Sequence, residues 1–191
     1  MAGFKFDTAK LLRLNDPGRF DSLRPDVMWD ALGRPDAHTI VEIGAGTGLF
    51  SAKFAELAPH ATVFAADVEP EMLDWMRDNR EEVASGRMVV LPSEERHVPL
   101  DDGVADLVMM INLHHELDDP AAIYGEAFRM AAEGGQVMVV DWAPGDTPKG
   151  PPQEVRASAE QIEQALTDAG FSGVRAHEGL PWHTLVTGRK A

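Results

Sequence analysis

A mostly apolar strand pattern, Thr39–Ile43, meets a glycine-rich turn, Gly44-Ala45-Gly46-Thr47-Gly48, which leads straight into a helical pattern from Leu49. A strand that turns this sharply into a helix opens a strand–helix–strand unit. It also exposes free backbone N–H groups at a helix start, where an anionic group is stabilised. Gly44 and Gly46 permit dihedrals closed to other residues and keep Cβ atoms away from a ligand, while Gly48 lets the helix lie close to the strand. The dinucleotide fingerprint G-x-G-x-x-G needs glycine where Leu49 stands. Here the pattern is G-x-G-x-G with acidic Glu42 two positions ahead, which argues against a pyrophosphate ligand.

A second buried strand, Thr62–Ala66, ends at Asp67. A carboxylate at the tip of a second strand can accept both hydroxyls of a ribose. Glu69-Pro70-Glu71 follows; Pro70 suits the first turn of a helix and the carboxylates suit its positive end. Farther on the pattern alternates. It predicts a helix over Glu71–Ala84, with Leu73, Met76, Arg77 and Arg80 at helical spacing, then strands at Met88–Leu91 and Ala105–Ile111. It predicts a helix over Pro120–Ala132 stopped by Gly134-Gly135, and a strand at Val137–Val140. A capping box at Ser158-x-x-Gln161 opens a helix with Ile162, Leu166 and Ala169 inward, and strands at Gly173–Ala176 and Thr184–Gly188 close the chain. Alternating strands and helices imply a doubly wound α/β sheet.

The 191 residues suit one domain, with an N-terminal helical segment over 1–36, a candidate lid, ahead of the main body at 37–191. The Gly- and Pro-rich stretch Ala143–Pro152 is a second candidate cover for the crevice. No apolar run is long enough to span a bilayer and no signal-peptide pattern is evident, so the expected setting is cytoplasmic. Only 17 Lys and Arg stand against 32 Asp and Glu, scattered rather than clustered, which argues against a nucleic-acid partner and for a small-molecule one. Oligomeric state leaves no signature.

Glu42-x-Gly44-x-Gly46-x-Gly48, followed by Ala65-Ala66-Asp67-x-Glu69-Pro70-x-Met72-Leu73, resembles class I S-adenosylmethionine (SAM)-dependent methyltransferases, in particular the subgroup similar to ubiquinone/menaquinone-biosynthesis methyltransferases. The resemblance is strongest from about Thr39 to Trp142. It implies an α/β, Rossmann-like, mostly parallel seven-stranded sheet with an antiparallel last strand. It implies SAM as cofactor, S-adenosylhomocysteine as product, and methyl transfer to a small molecule. The alternatives are a protein or quinone-like acceptor, or a non-catalytic SAM-binding protein. With no cysteine in the chain, metalloid and RNA C5-methyltransferases that work through a thiolate are excluded.

The cofactor-binding set is then Glu42, Gly44, Ala45, Gly46, Gly48, Asp67, Val68, Glu94, Glu95 and Asn112. The turn would hold the cofactor's carboxylate, Glu42 its cationic end and Asp67 its ribose. Glu94 stands where the resembled family has an Asp facing the adenine amino group. Asn112-Leu113-His114-His115 replaces the Asn/Asp-Pro-Pro-Tyr/Phe motif of amino-methylating nucleic-acid enzymes, which weakens that function. His114 and His115 are the candidate catalytic residues: one can act as general base while the other positions the loop. Asp141 and Trp142 are candidates for the wall of the acceptor pocket. No metal is expected, because adjacent residues at a strand end point opposite ways.

Overall fold

The computed structural model describes residues 8–191, with side chains from Leu11 onward. In chain order the elements are α1 (Thr8–Leu14), α2 (Pro25–Ala31), β1 (Thr39–Ile43), α3 (Leu49–Leu57), β2 (Thr62–Asp67), α4 (Pro70–Asn79) and α5 (Glu81–Ala84). There follow β3 (Met88–Pro92), β4 (Ala105–Ile111), α6 (Pro120–Met130), β5 (Ala131–Trp142), α7 (Ala159–Asp168), β6 (Ser172–His177) and β7 (His183–Arg189). The strands form one seven-stranded sheet in the order β3-β2-β1-β4-β5-β7-β6. The first five run parallel, and β7 inserts antiparallel between β5 and β6. This is the mostly parallel, Rossmann-like sheet that the sequence implies. Strand order reverses between β1 and β4, and the crevice beyond the carboxyl ends at such a point is where ligands bind in doubly wound folds.

Alternation along each strand feeds two cores. Ile40, Leu107, Met109, Met138 and Leu185 face α2 and α3, where Met28, Trp29 and Phe54 are buried. Val41, Val108, Met110, Val137 and Val139 face α6 and α7, packing on Tyr124, Met130, Ile162 and Leu166. Parallel strands covered on both faces must be apolar at successive positions, which is why Ala105–Ile111 reads as a continuous run. The same alternation puts Glu42 on the α3 side of β1, two residues beyond Ile40.

Two expectations are corrected. The helix predicted over Glu71–Ala84 is broken at Arg80, whose backbone is extended (φ −96°, ψ 116°). Arg80 leaves the helical path and donates from Nε to the Thr47 carbonyl (2.7 Å), tying α4 to the glycine turn. Nor is Gly134-Gly135 a helix stop. α6 ends at Met130, and the glycines lie inside β5, at a register shift against β4. A Cβ at Gly135 would stand 2.7 Å from the Ala105 carbonyl oxygen, so only glycine admits this close passage of backbones. The capping box forms as read: Ser158 Oγ accepts from Gln161 N–H, and Gln161 Oε1 accepts from Ser158 N–H. Of the segment 1–36, residues 1–7 lie outside the described residues; the described part holds α1, a 3-10 turn at Pro17–Asp21 and α2, joined by turns and irregular chain.

Candidate functional site

A cavity of about 770 Å³ opens at the carboxyl ends of the parallel strands. It is lined by Glu42, Gly44, Ala45 and Gly46 from β1 and its turn, by Asp67 and Val68 after β2, by Glu94 and Glu95 after β3, and by Asn112 and His115 after β4. Arg13, Leu14 and Arg19 reach it from the N-terminal segment, Lys149, Gly150 and Pro151 from the loop after β5, and Trp142 and His183 from the facing ends of β5 and β7.

The glycine turn is built as the dihedral argument requires, with φ at +73° for Gly44, +56° for Gly46 and +67° for Gly48. The three glycines differ in what a Cβ would meet. At Gly44 it would press on Leu113 (2.7 Å), and at Gly48 on Met76 Sδ (2.9 Å), so Gly48 serves packing of the turn against α4 and does not line the cavity. At Gly46 the nearest atom is Leu14 Cδ1 at 3.9 Å, so a side chain there would stand in the cavity itself.

The expected row of free N–H groups is mostly spent within the protein. Gly44 and Ala45 donate to the Ala66 carbonyl (2.9 and 3.0 Å) and Gly48 to the Ala45 carbonyl (2.9 Å). Gly46 donates to Asp67 Oδ2 (2.6 Å). Asp67, 6% exposed, also accepts from Glu69 N–H (3.0 Å) through Oδ1. The carboxylate at the tip of β2 is thereby locked onto the turn one strand over.

Glu42 is buried and accepts a hydrogen bond from the Ser51 hydroxyl of α3. Burial pushes its carboxyl up to about 8, against the opposing pull of Ser51 and of the Arg19 charge. Such a group is neutral in a neutral solution and ionises when a cation arrives. Two further wall atoms are buried without partners among the described residues: Thr47 Oγ1 and Asn112 Oδ1. Asn112 is also held at φ +57°, an uncommon conformation for a non-glycine residue. Buried polar atoms seldom go unpaired, and these two stand where a polar ligand would satisfy them.

The adjacent histidines separate. His114 Nδ1 bonds Tyr124 Oη (2.6 Å), the rings stack, and His114 is not among the lining residues. His115 lines the cavity, with Nδ1 on Asp141 Oδ1 (2.8 Å). Asp141, fully buried at the end of β5, also accepts from Trp142 N–H (2.7 Å). Burial lowers the His115 pKa, but the hydrogen bond and charge of Asp141 outweigh it and leave it raised. Asp141 fixes the tautomer with the proton on Nδ1, leaving Nε2 to accept a proton. Glu116 Oε1, at 3.8 Å from Nε2, is beyond hydrogen-bond range. His183 was not anticipated from the sequence. It is 6% exposed, leans on Trp142 with ring centroids 4.3 Å apart, and has neither ring nitrogen hydrogen-bonded among the described residues.

Against known proteins, the profile of the family described as "Methyltransferase domain" matches residues 41–139. The chain belongs to this family. The methyltransferase domain so defined runs from β1 into β5 and carries the turn, Asp67, Asn112 and His115. The chain is 32% identical over 96 residues to a malonyl-[acyl-carrier protein] O-methyltransferase of Geobacter sulfurreducens, covering 50% of this chain and 35% of that protein. It is 33% identical over 112 residues to a demethylmenaquinone methyltransferase of Thermus thermophilus, covering 58% and 49%. It thus spans between a third and a half of those relatives' lengths. Over the whole fold it is similar to a solved SAM-dependent methyltransferase from Aquifex aeolicus, with a TM-score of 0.86 and 27% identity, covering 98% of this chain and 100% of that one.

Proposed function

We propose that this methyltransferase domain transfers a methyl group from SAM to a small-molecule acceptor in the cytoplasm. One observation carries the reading: the Asp67 carboxylate, at the tip of β2, sits in the same cavity as the glycine turn and is held there by Gly46 N–H at 2.6 Å. A ribose acceptor and a side-chain-free cradle therefore share one wall. The unpartnered Thr47 Oγ1 and Asn112 Oδ1, and the open space over Gly46, fit a polar nucleoside ligand.

In this reading Asp67 receives the ribose hydroxyls, and Val68, Glu94 and Glu95 face the adenine. Glu42 favours the cationic end. Thr47, which keeps the turn's one unpaired N–H group among the described residues, faces the carboxylate. When bound, SAM supplies a methyl group activated by a cationic sulfur. The protein's part is mainly alignment and exclusion of water. His115 takes the acceptor's proton at Nε2, and the buried Asp141 stabilises the imidazolium that results. A positioned base of this kind is worth roughly 10²–10⁴ in rate. His114 holds the loop through Tyr124. The N-terminal segment, whose Leu14 faces Gly46 and whose Asn15 is bonded by Arg80 Nη2 (2.5 Å), acts as the cover over the cofactor.

Calorimetric titration with SAM, S-adenosylhomocysteine and NADH tests the reading. SAM and its product are expected to bind and NADH is not; the reverse order rejects the proposal. Asp67→Ala should weaken S-adenosylhomocysteine by about 2–3 kcal/mol, the size of a lost pair of charge-assisted hydrogen bonds. Unchanged affinity would take Asp67 out of the ribose role.

A further inference from the structure

The two halves of the cavity rim differ in charge. On the β2–β3 side stand Glu69, Glu94 and Glu95, and the one cation beside them, Arg96, is paired with Asp119 (3.2 Å). On the β5–β7 side the lining cations are Lys149 from the loop after β5 and Arg19 from the N-terminal segment; Glu116 stands beside His115, Asp16 beside Arg19, and Asp141 is buried beneath and committed to His115. In a chain of formal net charge −15, two lining cations with no carboxylate ion pair among the described residues are notable.

Arg19 and the loop that bears Lys149 are held in place. Arg19 lies over the Phe50 ring (5.1 Å to the centroid) and donates from Nη1 to the Leu14 carbonyl (2.8 Å); it has no carboxylate ion pair among the described residues. The loop bearing Lys149 is strapped by Arg156, which bonds the carbonyls of Ala143, Gly145 and Pro151 and lies over the Trp142 ring. His183 is paired in register with Trp142, so its imidazole lies one strand over from the residue that follows Asp141. Burial, joined by the charges of Arg19, His115 and Lys149, keeps this imidazole neutral, with its pKa lowered to about 4 despite the opposing charge of Asp141. A neutral imidazole offers one donor and one acceptor. With both nitrogens buried and unpartnered against the aromatic face of Trp142, His183 is a polar group prepared for a ligand.

Resting on the methyltransferase reading, we propose that this corner is the acceptor subsite and takes a small hydroxylated acid. Its hydroxyl turns toward His115, and its carboxylate is received by His183, Arg19 and Lys149. The reaction balances simply. The hydroxyl oxygen forms a bond to the methyl carbon as the carbon–sulfur bond breaks, its proton passes to His115 Nε2, and the neutral thioether leaves. His183 and Lys149 are positioning and specificity groups in this scheme.

The test uses the full chain saturated with S-adenosylhomocysteine, titrated with the three hydroxybenzoate isomers and the corresponding hydroxybenzamides. At least one hydroxybenzoate should bind about tenfold or more tightly than its amide, a difference of about 1.4 kcal/mol. His183→Phe and Lys149→Met should each shrink that preference while leaving S-adenosylhomocysteine affinity unchanged. In turnover they should raise KM for the acid far more than they lower kcat. Lys149 is exposed, so its variant remains informative even if His183→Phe folds poorly. Equal binding of acid and amide, no binding of either, or a preference that survives in Lys149→Met would overturn the proposal. Loss of S-adenosylhomocysteine binding by the unaltered protein would instead reject the methyltransferase reading on which it stands.

Discussion

Glu42 shares the α3-facing side of β1 with Ile40, and that placement removes its carboxyl from water and leaves Ser51, through its hydroxyl and its backbone, as the hydrogen-bond partner. The folded group titrates near 8 against an ordinary 4.5. Between those values the native protein holds a proton that the unfolded chain has lost, so the contribution of Glu42 to stability is complete below about 4.5 and disappears as pH rises through about 8. Urea unfolding of the ligand-free protein at pH 6 and pH 9 should show Glu42→Gln closer to the parent at pH 6 and more stable than the parent at pH 9. An equal offset at both values would mean that Glu42 is ionised in the folded protein. Glycine, aspartate and glutamate were all legible in the sequence as residues of this cavity wall. The pairing of Gly46 N–H with Asp67 was not. It depends on the 21-residue return of the chain that brings β2 beside β1.

At the scale of elements, the helices announce themselves by caps and by one apolar stripe, and they hold where both signals agree. α7 has a complete capping box and buries Ile162 and Leu166 against the sheet, remote from the cavity. Ser158→Ala should cost about 1 kcal/mol of stability, read as a lower urea midpoint with unchanged m, and leave S-adenosylhomocysteine affinity as it was. A loss of ligand affinity comparable with the loss of stability would show that α7 is coupled to the site. Where the pattern misled, tertiary contacts decided. The stripe Leu73, Met76, Arg77 and Arg80 continues formally past Asn79, yet the chain opens at Arg80 because its guanidinium is drawn to the Thr47 carbonyl and Asn15. Glycines read as a helix stop proved to be a tight passage in β5, since a helix end and a β-irregularity both call for a residue without Cβ.

For the whole molecule, the charge of −15 acts as self-repulsion in the folded state. The screening length falls from about 10 Å at 0.1 M salt to about 3 Å at 1 M. The melting temperature should therefore rise by several degrees across that range in sodium chloride, checked by circular dichroism. A flat or falling trend would show that the paired carboxylates, such as Glu126 with Arg129, outweigh the general field.

Taken alone, the amino-acid order determined the mostly parallel α/β sheet, the glycine turn and the carboxylate at the tip of β2. Each of those features is written within a few residues of sequence: a turn, a strand tip and a helix start. The β5–β7 corner of the cavity was decided by tertiary structure. β7 runs against its neighbours, so its first residue, His183, arrives at the edge where the parallel strands end, next to Trp142 and the Asp141 that orients His115. Nothing in a stretch such as Trp182-His183-Thr184 encodes which strand will lie beside it or in which direction. That follows from burying two faces of one sheet at once, and it gathers into one corner an imidazole, a ring and two cations taken from distant parts of the chain.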